Sequence, residues 1–313
     1  ILNPLISLLI LISQFVYLLY NTNMDYDKYM KKCIELAKGG EGQTSPNPLV
    51  GCVVLDKDGN EISTGFHHKY GENHAERDAL LKLTKGEEKG GTLIVNLEPC
   101  SHHGKTPPCA DLIIERGLKC VVIGMQDVNP IVAGNGIKKL KNAGIEVVEH
   151  VLEDECKILN EVFIKNMTQK KVFVAIKTAT TLDGKIATQN GSSKWITSEK
   201  AREEVKVIRN RYDAIMTSSA TILADNPTML HRKKIILDRK LRTNLEAPIY
   251  KNGEIYLFND SLDMFEGGVN FIKTPVHDDK LDLEFVFNKA YELGIKSVLV
   301  ESGGHLAGSV LKY

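Results

Sequence analysis

The sequence predicts an α/β protein made of two successive domains, and three observations carry that prediction. Its 313 residues, 42% apolar and 26% charged, suffice for two cores of ordinary size and match the composition of globular proteins. From residue 25 onward, short apolar runs alternate with amphipathic patterns. Strand-like runs lie at Gly51 to Leu55, Thr92 to Leu97 and Cys120 to Gly124, and helical patterns at Ala75 to Leu83, Asp111 to Arg116 and Gly136 to Ala143. A helical, increasingly basic stretch from Asp154 to Lys171 then gives way to a fresh strand pattern, Val172-Phe-Val-Ala-Ile176. The junction is therefore expected near residue 168, with domains 24–168 and 169–313. No Gly/Ser linker or internal repeat intervenes, so the halves are expected to pack closely.

Taken in order, the first helix is expected from Asp25 to Lys38, where Met30, Ile34 and Ala37 share a face and Gly39-Gly40 ends it. Ahead of it, Ile1 to Tyr20 is apolar but for Asn3, Pro4, Ser7, Ser13 and Gln14, without a basic flank or a small-residue cleavage motif. Its length approaches the roughly twenty residues of a membrane span. We read residues 1–23 as a leader outside the fold in preference to an anchor. In the second half, Ala175 to Ala187 reads as a strand, a turn at Asp183-Gly184 and a second extended piece, and Trp195-Ile-Thr-Ser198 leads into a helix capped by Thr197 or Ser198. Ser297 to Ser309 reads as a strand running into glycines and a helix start, which frees backbone amides for a dinucleotide phosphate. A tight strand-to-helix turn also needs glycine for conformational reasons alone.

Forty basic and forty acidic side chains cancel, so no overall field draws in nucleic acid or an anionic membrane. The expected partner is a small molecule, with no nucleic acid, and no membrane unless the apolar leader is a true anchor. Oligomeric state stays open, a homo-oligomer included. Of six cysteines, Cys33, Cys52, Cys120 and Cys156 sit in apolar or helical patterns without the spacing of a disulfide framework, which suits the cytoplasm.

The remaining two cysteines carry chemistry. His74-Ala-Glu76, Pro99-Cys100 and Cys109 supply one imidazole, two thiolates and one free carboxylate. Three such ligands leave one tetrahedral position of a zinc ion for water, whose pKa the metal lowers toward neutrality, and Glu76 can shuttle protons without binding metal. A closed structural site, with His102 or His103 as fourth ligand, is the plainer alternative, but it has no use for an acid beside a ligand. His102 and His103 equally fit outer hydrogen-bond donors, contacts to a substrate phosphate, or solvated loop residues. Asn47, between two prolines, fits a ribose contact or an ordinary turn. The cysteines enclose Ser101-His-His-Gly-Lys-Thr-Pro-Pro108 where a zinc deaminase commonly has two residues.

The stretch from Glu98 to Cys109, together with Pro46-Asn-Pro-Leu-Val-Gly-Cys-Val53, Met125-Gln-Asp-Val-Asn-Pro130 and Val132-Ala-Gly134, resembles the bifunctional riboflavin-biosynthesis deaminase–reductase family, and the likeness runs from Met24 nearly to the end. The resemblance implies a cytidine-deaminase-like three-layer domain followed by a dihydrofolate-reductase-like α/β domain. It implies Zn2+ on His74, Cys100 and Cys109, with Glu76 as catalytic proton shuttle. NADPH would lie against Thr180, Trp195, Thr221 and the run Gly303, Gly304, His305, Leu306, Ala307, Gly308 and Ser309. Ser193, Arg209, Asp225, Met229, Arg232 and Glu301 would touch a phosphorylated pyrimidine substrate, Arg209 and Arg232 by paired hydrogen bonds to phosphate. The implied reactions are hydrolytic deamination of 2,5-diamino-6-ribosylamino-4(3H)-pyrimidinone 5′-phosphate and then reduction of its ribosyl group to ribityl.

Three departures bear on the reductase half. Met229-Leu-His-Arg232 stands where the family usually has Leu-Thr-Val-Arg, and Arg239 follows Asp238 where a small hydroxyl residue commonly meets the cofactor. The sequence also stops at Tyr313, a turn into a helix, so the second domain is expected to be C-terminally truncated, either as a fragment or with a disabled reductase. The rival readings are a deaminase of another nucleoside or base with a non-catalytic second domain, and a decayed zinc- and nucleotide-binding protein.

Overall fold

The computed structural model describes residues 25–102, 107–130 and 133–312. The expected leader over 1–23 lies outside them, as do His103 and Val132. The chain divides into two compact units, the second opening at Glu161 and also claiming Ser45–Asn47.

In the first unit, α1 (Tyr26–Ala37) starts where Asp25 accepts a hydrogen bond from Lys28 N at 3.1 Å, and it buries Met30, Cys33 and Ala37. Strands β1 (Gly51–Leu55), β2 (Glu61–Phe66), β3 (Thr92–Leu97), β4 (Cys120–Met125) and β5 (Glu146–Val148) form one sheet in the order β2-β1-β3-β4-β5. β1 runs antiparallel to β2 and β3, whereas β3, β4 and β5 are parallel. Every residue of β1 and β4 is buried, as expected of strands covered on both faces. The covering helices fall into two groups by contact: α1 with α5 (Glu153–Leu159), and α2 (Ala75–Leu80) with α3 (Cys109–Glu115) and α3 with α4 (Asn135–Asn142). The result is the three-layer arrangement the resemblance implied.

The helix expected from Asp154 to Lys171 is instead two, α5 and α6 (Glu161–Gln169). Asn160 interrupts it because its buried amide pairs with the backbone of Leu49: Leu49 N donates to Oδ1 at 2.8 Å, and Nδ2 donates to Leu49 O at 3.0 Å. α6 belongs to the second unit, where Asn166 Nδ2 donates to Lys171 O and Lys296 O, so the split falls ahead of the junction expected near 168.

The second unit holds a seven-stranded sheet. Its strands are β6 (Phe173–Lys177), β7 (Ala214–Ser218), β8 (Lys233–Leu237), β9 (Glu254–Asn259), β10 (Met264–Glu266), β11 (Val269–Lys273) and β14 (Ser297–Glu301). Their order is β10-β11-β9-β8-β7-β14-β6, and all pairings are parallel except β10 with β11. A separate hairpin joins β12 (Val276–His277) to β13 (Lys280–Leu281). The connecting helices are α7 (Glu199–Asn210), α8 (Ser219–Asp225), α9 (Leu283–Glu292) and α10 (Gly304–Val310). Met216, Ile235, Phe258, Val286, Phe287, Val298 and Val300 pack in one core cluster, and Ile215, Ile222, Ile236 and Leu257 in a second.

The second extended piece expected after Gly184 is absent from the sheet; residues 182–198 form turns and bends. Thr181 closes the chain on itself: its N–H donates to Lys185 O, its carbonyl accepts from Gly184 N, and its hydroxyl accepts from Lys185 N, each at 2.9 Å. Gly184 takes φ 78°, a value that suits glycine. Ser198, not Thr197, caps α7, its side chain accepting from Ala201 N at 3.2 Å. Among the described residues, no helix is long and apolar enough to cross a membrane.

Candidate active sites

The ligands of the first site stand at the ends of secondary-structure elements. His74 is the N-cap of α2, Cys109 opens α3, and Cys100 follows β3. His74 Nδ1 lies 3.5 Å from Cys100 Sγ and 3.6 Å from Cys109 Sγ, and the three ligand atoms all fall within 4.8 Å of one another. Zinc bonds of about 2.3 Å to sulfur and about 2.0–2.1 Å to nitrogen, at a tetrahedral angle, put N and S about 3.5–3.6 Å apart. The observed spacings match, so the donor set fits zinc. Among the described residues no other side chain joins this group, and His102 is exposed.

The charges fit as well. Hydrogen bonding from Cys109 holds Cys100 down at about 4 against its burial, and His74 and the Cys109 N–H, which donates to Cys100 Sγ at 3.3 Å, help. That bond to Cys100, with burial, pushes Cys109 up; the pair shares one proton that a cation at the centre of the cluster would replace. His74 is raised by its bond to Cys100. Glu76, only 3% exposed, is pushed up to about 7 by burial and by the neighbouring Cys100, and its carboxyl also interacts with the Cys109 thiol. It therefore sits beside the ligand cluster without belonging to it.

Two residues the motif search missed set the position of α2. Gly65 on β2 lets the helix press directly on the sheet, since a Cβ there would stand 2.5 Å from Ala75 O and Ala79 N. His67, buried, donates from Nδ1 to Asn73 O at 2.9 Å and meets the His74 ring edge-on at 5.4 Å, bracing the turn into the ligand. Gly65 carried no sequence signal, because a strand glycine commonly marks a bend or bulge. His67 could have been suspected from His67-His68 lying just ahead of His74.

In the second unit the expected cofactor residues gather past the carboxyl ends of three adjacent parallel strands, the usual ligand edge of such a sheet. Thr180 follows β6, Thr221 lies in α8 after β7, and Gly303 to Ser309 follow β14. Ser218 and Thr221 hydroxyls lie 3.5 Å apart, and a Cβ on Gly303 or Gly308 would enter open space. Thr217 Oγ1 and Asp238 Oδ1 are buried without a hydrogen-bond partner at the ends of β7 and β8. Open glycine backbone and orphaned polar atoms at one edge suit a dinucleotide that brings its own donors and acceptors. Trp195 is 70% exposed, with the Arg202 guanidinium 4.2 Å above its ring.

The expected substrate residues are less uniform. Arg209 and Glu301 meet in a paired bond, Nε to Oε1 at 2.6 Å and Nη2 to Oε2 at 3.0 Å, and Lys177 Nζ reaches Oε2 at 3.3 Å. The Arg209 fork expected to grip phosphate thus already holds a carboxylate. Burial alone would raise the Glu301 carboxyl, but Arg209 and Lys177 outweigh it and hold the group below the ordinary glutamate value. Met229 is 8% exposed inside an apolar cluster, so its side chain serves packing and not the expected substrate contact. Ser193 is half-buried in the turn-rich segment, Asp225 is exposed at the end of α8, and Arg232 is exposed just ahead of β8. Lys177 was missed, though it stands at the end of the strand the sequence did predict. Asn47 is half-buried within a run of turns.

Residues 24–125 match the cytidine and deoxycytidylate deaminase zinc-binding region, and residues 172–313 match the RibD C-terminal domain. The riboflavin biosynthesis protein RibD of Actinobacillus pleuropneumoniae is 43% identical over 94% of this chain and 81% of its own length. The chain belongs to the RibD family. RibD of Escherichia coli is 38% identical over 92% of this chain and 84% of its own. A Thermotoga maritima crystal structure described as a diaminohydroxyphosphoribosylaminopyrimidine deaminase/5-amino-6-(5-phosphoribosylamino)uracil reductase superposes with a TM-score of 0.81 at 46% identity, covering 89% of this chain and 81% of that one. Acinetobacter baumannii RibD gives 0.80 at 37%, covering 92% and 83%. The chain is thus a riboflavin-biosynthesis enzyme with a zinc-binding deaminase domain and an NADPH-dependent, RibD-type reductase domain.

Proposed function

We propose that the first unit hydrolyses the 2-amino group of 2,5-diamino-6-ribosylamino-4(3H)-pyrimidinone 5′-phosphate and that the second reduces the ribosyl group of the product. The observation that supports this reading best is a buried carboxyl, Glu76, beside a His-Cys-Cys cluster spaced for zinc. A zinc ion held by His74, Cys100 and Cys109 supplies the Lewis acidity that makes water nucleophilic at neutral pH. Glu76 takes the proton of the attacking water on its carboxylate and passes it to a ring nitrogen, then takes the proton of the newly added hydroxyl and passes it to the amino group that leaves as ammonia. Its raised carboxyl suits both halves of that exchange.

In the second unit, Thr180, Trp195, Thr221 and Gly303 to Ser309 would hold NADPH, which supplies hydride for the sugar carbon. Lys177, Arg209 and Glu301 form a charged cluster at that strand edge, where Glu301 holds both cations in place. The cytoplasm, with its reducing thiol balance, is the proposed setting, because the six cysteines are free. The test is to follow ammonia release and NADPH oxidation on the two successive substrates. Turnover that needs the ribose 5′-phosphate and then NADPH supports the reading, and equal turnover of free nucleosides without NADPH counts against it.

A further inference from the structure

We infer that Glu98 is a positioning residue of the deaminase, clamping both ends of the β4–α4 connection onto the segment that carries Cys100; the inference rests on the deaminase reading above. Glu98 is 3% exposed and lies between Leu97, the last residue of β3, and Pro99-Cys100. Its Oε1 accepts from Gly136 N at 2.8 Å and Ile137 N at 3.2 Å; its Oε2 accepts from Gly134 N at 2.9 Å and Asp127 N at 3.2 Å. A carboxylate offers about four lone-pair directions, so this one is saturated by backbone alone. Three of those donors belong to the start of α4, where N–H groups have no partner inside the helix. The fourth belongs to the chain leaving β4, and Glu98 N itself donates to Met125 O at 3.0 Å.

The clamp is tight on its other side as well. A Cβ on Gly136 would come within 2.0 Å of Pro99 O, so the first turn of α4 lies directly on the residue before the zinc ligand. The clamp also holds Asp127, whose N–H donates to Glu98. The Asp127 carboxyl accepts from Asn129 N at 2.8 Å and stands close enough to Cys100 and His102 to feel their charges. Burial chiefly pushes it up to about 6, with Glu98 and Cys100 adding to the effect. Glu98 thereby ties the chain that carries Asp127 to the chain that carries Cys100.

Glu98→Gln keeps the shape but turns an NH2 group toward two backbone donors that need an acceptor. Gly136→Ala leaves Glu98 chemically intact and pushes the same segment away through Pro99 O. The full chain carrying each substitution should retain zinc at the wild-type ratio by metal analysis. Each should raise KM for the diaminopyrimidine substrate about tenfold with kcat within about threefold, the pattern of weakened substrate binding. Peptides covering residues 126–138 should exchange amide hydrogen faster by mass spectrometry. KM within twofold of wild type in both variants, or loss of zinc and kcat at unchanged KM, overturns the inference. Wild-type protein that releases no ammonia refutes the deaminase reading instead, and the exchange comparison still reports whether Glu98 holds the segment.

Discussion

Replacing Glu76 by Gln tests the division of labour between the two units. The side chain is 3% exposed and glutamine has the same shape, so the ligand cluster should keep its geometry. Glutamate carries at least two proton movements in deamination, one from water and one to the ring, and a single positioned acid or base is worth about 10²–10⁴-fold. A loss of at least about 10³-fold in ammonia release is expected, about 4 kcal/mol in activation free energy. Stability should not fall, because the substitution removes a carboxyl that burial already pushes up to about 7. The assay couples ammonia release to a detecting enzyme and, in parallel, follows NADPH oxidation on the deaminated substrate, with zinc content measured on the same samples. Residual ammonia release above about one-tenth of wild type, or an equal loss of both activities, would refute the assignment.

Gly65→Ala should destabilise the first unit by about 1–3 kcal/mol, the cost of overpacking, and weaken zinc retention, because the added methyl meets the α2 backbone at 2.5 Å; calorimetry and metal analysis check both. A chelator should abolish ammonia release and lower the unfolding temperature of the first unit while NADPH binding, followed by fluorescence, stays unchanged; an ion at about a thousandfold over its Kd contributes about 4 kcal/mol. Glu301→Gln should cost the second unit about 2 kcal/mol, under the range for fully buried pairs because Arg209 and Lys177 keep 20% and 27% side-chain exposure. Because the Glu301 carboxyl is held low in the folded chain, its contribution should be present above the ordinary glutamate pKa and vanish as pH falls through the lowered value. Urea titrations of wild type and variant should therefore converge in acid and differ at neutral pH.

The His-Cys-Cys cluster that could hold zinc was legible because its chemistry is dense in sequence: an imidazole, an acid two residues on, and thiols next to a proline. The sheet of the first unit was legible where its strands are buried on both faces and read as unbroken apolar runs, as in β3 and β4. β2 was missed because Glu61-Ile-Ser-Thr-Gly-Phe66 is a half-exposed edge strand with little apolar signal. β5, three half-buried residues, gives even less. Asn160 was invisible as a helix breaker, since its effect depends on a partner at Leu49 that no local pattern reveals. Glu98 stood inside a quoted motif, yet its role depends on amides more than twenty-five residues away, beyond the reach of spacing arguments.

The departures at His231 and Arg239 acquire a physical meaning in the folded chain. His231 Nδ1 lies 2.9 Å from Lys233 O and 3.2 Å from Lys233 N, and Nε2 lies 3.1 Å from Arg209 O and 3.0 Å from Tyr212 O. Burial lowers its pKa, although the surrounding backbone carbonyls favour the charged ring. The imidazole therefore joins the start of β8 to the end of α7, the helix that delivers Arg209 to Glu301, and a valine there could make none of these bonds. Arg239 Nη1 lies 2.7 Å from Asp279 in the β12–β13 turn and 3.8 Å from Asp260. Its charge is balanced within the unit, so a cofactor phosphate arriving at the end of β8 must compete with two carboxylates for it. Arg239→Ser should accordingly leave the fold intact and change NADPH affinity by less than about threefold in a fluorescence titration, since exposed ion pairs of this kind contribute little. A tenfold loss would mean that Arg239 leaves its acidic partners to bind the cofactor.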